Sequence, residues 1–211
     1  MTDIITQLEW RYATKKFDAT KEISEKQLDT LKQAFNLTAT SYGLQPIKLV
    51  VVDNKDIQQK LVAPSYGQLQ VAQASKVLVI CIESTVDNQF IIDYFNLVKE
   101  IRNTREEILK PFRENLIASF SSKEKEEVKQ WATNQAYLAL GNLLTVCAVE
   151  GIDACPMEGF MPKAYDEVLG LSNHNLEAVL VLPVGYRAED DMFADFKKVR
   201  KPLEETIISI L

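Results

Sequence analysis

Residues 131–160 read WATNQAYLALGNLLTVCAVEGIDACPMEGF. Ala136, Leu140, Leu143, Leu144 and Cys147 recur at helical spacing, and further apolar residues occupy the other faces. The pattern predicts a central, largely buried helix. Gly151 supplies the left-handed turn at its C-terminus, and Ile152-Asp-Ala-Cys-Pro156 follows as a short extended run. That run delivers Met157-Glu158-Gly159-Phe160 to the interior. An isolated Glu-Gly step is an ordinary turn, so its meaning depends on what surrounds it.

Upstream, Ser121 and Glu124 read as a capping box for this helix. Residues 89–120 are helical by pattern, with Ile92, Phe95, Leu97 and Ile101 among charges, and Pro111 is expected to divide them into two helices. Apolar runs predict strands at Lys76–Glu83, Ile47–Val52 and Leu176–Pro183. Ile23, Ser24, Gln27 and Leu28 form a capping box with a hydrophobic staple, starting a helix at Glu25 that buries Leu28, Leu31 and Phe35. Thr2 or Asp3 caps an earlier helix with Ile4, Ile5 and Leu8 inward. Short helices are expected at Asn54–Val62, behind Gln70, and at Pro162–Leu169, the last stopped by Gly170. Thr38 to Pro46, rich in hydroxyls, must be a loop. This order predicts a single α+β domain spanning 1–211, a three-layer α-β-α sandwich around a mixed, mostly antiparallel sheet. Beyond Tyr186 the chain is charged and aperiodic, yet it ends in Ile207-Ile-Ser-Ile-Leu211. A terminal β-prone run with no adjacent partner predicts docking on a neighbouring sheet, such as that of a second subunit.

The 211 residues are 46% apolar, enough for a core without staples, and carry a net charge of −6 with pI near 5.0. An acidic chain of this kind offers no broad basic face for nucleic acid. No segment is long and uncharged enough to cross a membrane. Cys81, Cys147 and Cys155 sit in apolar runs without metal-ligand spacing, and read as buried thiols of a reducing cytoplasm. There is no GxGxxG and no Walker pattern, and His174, the single histidine, lies among turn formers. A metal centre or a Ser-His-Asp triad is thereby nearly excluded, and an enzyme here would borrow its chemistry from an organic cofactor. Two basic clusters stand out: Arg11, Lys15 and Lys16 near one end, and Lys197, Lys198, Arg200 and Lys201 near the other. Each alone is ordinary solvated charge; converging, they could clamp one monophosphate.

RYATKKFD near the N-terminus, the hydroxyl-rich loop ending LQP, Ala74-Ser75-Lys76 before a strand, DACPMEGF and KKVRKP occur in that order and at suitable intervals. Together they resemble the FMN-dependent nitroreductase family, in its branch of oxygen-insensitive NAD(P)H nitroreductases and dihydropteridine reductases. The resemblance covers essentially the whole chain. It implies a homodimer with FMN at the subunit interface, the C-terminal tail exchanged between subunits, and NADH or NADPH as donor. Arg11, Lys198 and Arg200 match phosphate-binding positions, with Tyr12 and Ala13 beside them, and Lys15 matches the lysine near flavin N1 and O2. Pro156, Glu158 and Gly159 match the segment at flavin N5 and O4, where glycine lets the backbone approach the ring. Thr40, Ser41 and Gly43 match the loop that reaches the flavin from the other subunit, and Gln68 and Gln70 offer amides to its pyrimidine edge. Phe112 and Phe120 are candidates to stack on a small aromatic substrate. The implied reaction is two-electron ping-pong hydride transfer through flavin N5 to nitroaromatics or quinones. Flavin or dihydropteridine reduction, or redox sensing without turnover, are the alternatives. A cofactor-free dimeric scaffold is the blandest reading. Several positions depart from the family pattern: Tyr12 and Ala13 replace a histidine or arginine and a serine, Gly43 an asparagine and Ile47 a tryptophan. Gly67 and Gln70 stand for an asparagine and a lysine.

Overall fold

Lys76–Glu83, the strand β2, is apolar at nearly every position, and all its residues but Glu83 are buried. Such a strand must be covered on both faces, because successive side chains point to opposite sides. In the computed structural model, which describes residues 3–210, that is its environment. It pairs on one side with β1 (Ile47–Val52) and on the other with β4 (Leu176–Gly185), which in turn pairs with β3 (Asp153–Ala154). The order is β1-β2-β4-β3 and each of these pairings is antiparallel. A parallel bridge between Ala13 and Ala154 adds the mixed element at the β3 edge.

Leu78, Ile80 and Ile82 face a core shared with α2 (Glu25–Asn36) and α7 (Lys125–Val149), through Leu28, Leu31, Ala136, Ala139 and Leu143. Val77, Val79 and Cys81 face the opposite core. There Leu61, which caps the C-terminus of α3 (Lys55–Lys60), packs with Val71 of α4 (Gln70–Gln73) and Tyr165 of α8 (Pro162–Leu169). A third cluster, with Leu44, Ile91, Phe95, Leu109 and Leu116, forms under α5 (Asn88–Arg102) and α6 (Glu106–Ser121). The architecture is the predicted three-layer α+β sandwich. Cys81, Cys147 and Cys155 are buried free thiols.

Local differences have identifiable causes. The capping box at Ser24 and Gln27 is present, but α7 is capped by Glu124 reciprocating with Glu127, and Ser121 belongs to the end of α6. The break between α5 and α6 falls at Asn103, which takes the left-handed conformation at φ 51. Pro111 sits inside α6 on its exposed side, where losing one backbone hydrogen bond in the second turn is tolerated. The first helix, α1 (Ile4–Trp10), is capped by Asp3, whereas Thr2 lies outside the described residues. Its supposed inner face is open in a single chain: Ile4 is 42%, Ile5 58% and Leu8 39% exposed. The tail carries one short turn, α9 (Leu203–Thr206), and Ile207, Ile208 and Ile210 are exposed as well, with Leu211 outside the described residues. Among the described residues no helix is long and apolar enough to cross a membrane, and no cluster of His, Cys, Asp and Glu could hold a metal ion.

Candidate functional site

Residues 11–16 lie between the β3 edge and the chain leaving β4. The Thr14 amide donates to the Ala154 carbonyl at 3.3 Å, and the Ala188 amide donates to the Lys16 carbonyl at 3.0 Å. Two buried carboxylates fix the segment from below. Asp191 accepts the Tyr12 hydroxyl at 2.7 Å and the Lys15 amide at 2.9 Å. Asp153 accepts from the Arg187 backbone amide and Nε, each at 2.8 Å. The Arg187 guanidinium in turn lies over the Trp10 and Tyr12 rings, 4.5 and 4.6 Å from their centres.

This framework brings the two basic clusters together. The Lys198 ammonium donates to the Arg11 carbonyl. Burial lowers the pKa of Arg11, and the nearby Arg200 lowers it further. Lys198 is lowered by burial and then by Arg11 and Arg200. These cations weaken one another's hold on protons, and they outnumber the nearby Glu9, which favours the Lys198 charge, so the set is arranged to receive an anion. They line a cleft of about 370 Å³ with Trp10, Lys15 and Phe196. Tyr12 turns inward: its hydroxyl is committed to Asp191, and burial followed by that carboxylate raises its pKa. Ala13 is held in its bridge to Ala154.

The DACPMEGF segment adjoins this cleft. The Lys15 ammonium lies 4.0 Å from the Cys155 sulfur. Cys155 and Met157 donate to the Pro183 and Val181 carbonyls at 3.1 and 2.8 Å, so Pro156 sits between two anchored residues. Glu158 and Gly159 then emerge exposed. The Gly159 carbonyl accepts the Gln68 side-chain amide at 2.8 Å, and a Cβ at Gly159 would stand 3.3 Å from that nitrogen. Gln70 is buried at the start of α4.

The hydroxyl-rich loop lies elsewhere in the chain. The Ser41 amide donates to Gln135 Oε1 at 2.8 Å, and the Thr40 hydroxyl accepts the Gln45 amide at 3.1 Å. Gly43 has φ +74, and a Cβ there would meet the Tyr94 hydroxyl at 2.6 Å, so a side chain at this position would be strained and would have to displace Tyr94. Along α7, Gln135 stands roughly 18 Å from Cys147, the residue whose surroundings include Arg11. Thr40, Ser41 and Gly43 are therefore not gathered with Arg11, Lys198 and Arg200 inside one chain. Phe112, 67% exposed, helps line a separate apolar cleft of about 480 Å³ with Tyr42, Tyr94, Ile108 and Leu116. It reaches that cleft from the open side of α6, with no break at Pro111 turning it. Phe120 is buried instead, packed edge-on against Trp131 with ring centres 4.9 Å apart.

A family model described as the nitroreductase family matches residues 8–186. A Staphylococcus haemolyticus protein bearing an NAD(P)H nitroreductase name is 33% identical over 97% of this chain and 95% of its own length. The chain belongs to the nitroreductase family. The oxygen-insensitive NAD(P)H nitroreductase of Salmonella typhimurium is 26% identical over 99% of this chain and 100% of its own. The fold matches the crystal structure of an Exiguobacterium sibiricum protein in complex with FMN, with a TM-score of 0.85 at 18% identity, covering 100% of this chain and 98% of that one. Lys198 and Arg200 lie beyond the span that the nitroreductase model matches, so it is the folded chain that brings them to Arg11.

Asp191, Asp153 and Arg187 were not legible as parts of this nitroreductase framework. Acidic residues are rarely fully buried unless partnered, and nothing in the aperiodic run AEDDMFADF distinguishes the inward Asp191 from the outward Asp190.

Proposed function

We propose that this chain is a homodimeric FMN-dependent NAD(P)H oxidoreductase that reduces flat aromatic acceptors, nitroaromatics or quinones, by two electrons in a ping-pong cycle. That it is an NAD(P)H-dependent oxidoreductase using FMN follows from its family and its full-length relatives. One observation supports the placement of the cofactor: in a chain of net charge −6, Arg11, Lys198 and Arg200 meet from opposite ends in one cleft, where they outnumber Glu9. A phosphate dianion fits that set by charge and by donor geometry.

FMN, when bound, supplies reversible two-electron chemistry. Arg11, Lys198 and Arg200 hold its phosphate, while Tyr12 and Ala13 shape the floor beneath. Lys15 offers a preorganised cation to the ring edge that gains negative charge on reduction. Gln68 and Gln70 supply amides to the pyrimidine edge. The backbone of Pro156, Glu158 and Gly159 borders the ring, with no side chain at Gly159 to keep it away. Thr40, Ser41 and Gly43 complete the site from a second copy, because in their own protomer they lie far along α7 from the cations. The same second copy covers α1 and receives the tail on its sheet, at the outer side of β1. The acceptor stacks near Phe112, in the open aromatic cleft.

The test is the visible spectrum of the purified protein before and after anaerobic addition of NADH, then NADPH. A flavin band that bleaches, and returns with a nitroaromatic or quinone, is expected, and the faster reductant identifies the donor. A colourless protein that takes up no added FMN overturns the reading.

A further inference from the structure

At the base of a cleft lined with cations sits a buried anion. Asp191 is 4% exposed, and its carboxylate accepts from the Tyr12 hydroxyl at 2.7 Å, the Lys15 amide at 2.9 Å, and the Lys16 and Phe193 amides at 3.2 Å each. Burial opposes its ionisation, yet the Tyr12 hydroxyl and the amides hold its carboxyl below the usual carboxylate range. Among the described residues it forms no ion pair; its neighbour Asp190 is the one that takes Lys16. Coulomb's law alone makes such a group harmful to an anion site, since an unneutralised carboxylate repels the ligand above it. Its bonds say what it contributes. The donors on one side belong to the segment carrying Arg11 and Lys15, and Phe193 begins the turn that leads to Lys198 and Arg200.

We propose that Asp191 is a positioning residue for the anion site, a buried latch that fixes the Lys15 segment and ties it to the tail bearing Lys198 and Arg200. The inference rests on the FMN reading for its ligand and on the hydrogen bonds for its geometry. The Tyr12 hydroxyl gives its single proton to Asp191 and so has none for a phosphate.

Charge and positioning predict opposite signs, which makes the proposal testable. If Asp191 acted only as a charge, Asp191→Asn would tighten FMN and raise the potential of the bound flavin. Acting as a latch, the same change weakens FMN by about tenfold or more. It also weakens riboflavin by less, lowers the flavin midpoint potential through misplacement of Lys15, and speeds hydrogen exchange at the Lys15 and Lys16 amides. Tyr12→Phe, which removes one bond and leaves the charge, moves FMN affinity severalfold in the same direction and serves if Asp191→Asn does not fold. Dissociation constants come from flavin fluorescence on the full-length apoprotein. Unchanged or tighter FMN binding with a raised potential overturns the proposal. A wild-type protein that binds no FMN defeats the flavin reading alone. The exchange rates then decide: Lys15 and Lys16 amides as slow in Asp191→Asn as in wild type overturn the latch.

Discussion

The middle of β2 and the isoleucine run that closes the sequence are both apolar and opposite in fate. From Val77 to Cys81 every residue of β2 is 0% exposed, and Leu143 of α7 is sealed against it, whereas Ile208 is 87% and Ile210 95% exposed. Hydrophobic burial is favourable wherever it can be had, so an apolar run left open marks a surface that another body covers. The core is complete within one protomer. The proposed dimer would complete the ends, and the proposed site divides in the same way, with cations near the chain ends and the Thr40–Gly43 loop against the far part of α7.

The comparison is most strongly challenged at the core. Leu143→Ala should destabilise the protein by about 2–5 kcal/mol in urea denaturation, because the close-packed residues around it cannot collapse into the space. A loss under about 1 kcal/mol would show that the core is not self-sufficient.

A second, smaller effect belongs to the tail. Ile208→Ser combined with Ile210→Ser should leave far-ultraviolet circular dichroism unchanged and raise the dimer dissociation constant at least about tenfold, given what burying each isoleucine is worth. Sedimentation equilibrium at several concentrations reads this directly. An unchanged dimer would place the tail outside the interface.

The smallest effect is a pH dependence confined to the core. Burial pushes the Cys81 and Cys147 thiols up to about 12. Their folded pKa exceeds the unfolded one, so their contribution is fully present below the unfolded value near 9 and is lost as pH rises toward 12. Stability measured by urea should therefore fall across that window, and less steeply in a Cys81→Ala, Cys147→Ala variant. Equal slopes in the two proteins would mean that the thiols are not sealed.

Periodicity and capping made most of the core legible: β1, β2 and α8 have the predicted bounds, and α2 starts at its capping box. These signals are local, and local signals survive without knowledge of partners. What failed depended on distant groups. The face of α1 reads as inward because Ile4, Ile5 and Leu8 recur at helical spacing, but periodicity cannot say what covers that face, and in the folded chain it stays open. Pro111 predicts a break that the left-handed Asn103 makes instead, since a proline in the second turn forfeits only one hydrogen bond. In the candidate site, the meeting of Arg11 with Lys198 and Arg200 was legible as charge standing out from an acidic background. Asp191 was not, because its role lies in amides donated by residues far away in sequence.

A site divided between subunits has a direct test in mixed dimers. Arg200→Ala removes a cation from one half, and Gly43→Val disturbs the other by forcing a β-branched side chain into a left-handed position against Tyr94. Each variant alone should bind FMN poorly. Co-expressed and isolated as the heterodimer, they form one site with both halves intact and one with both impaired. The account predicts recovery of close to one tightly bound FMN per heterodimer. Heterodimers that bind no more FMN than either parent would place both halves in one chain and contradict it.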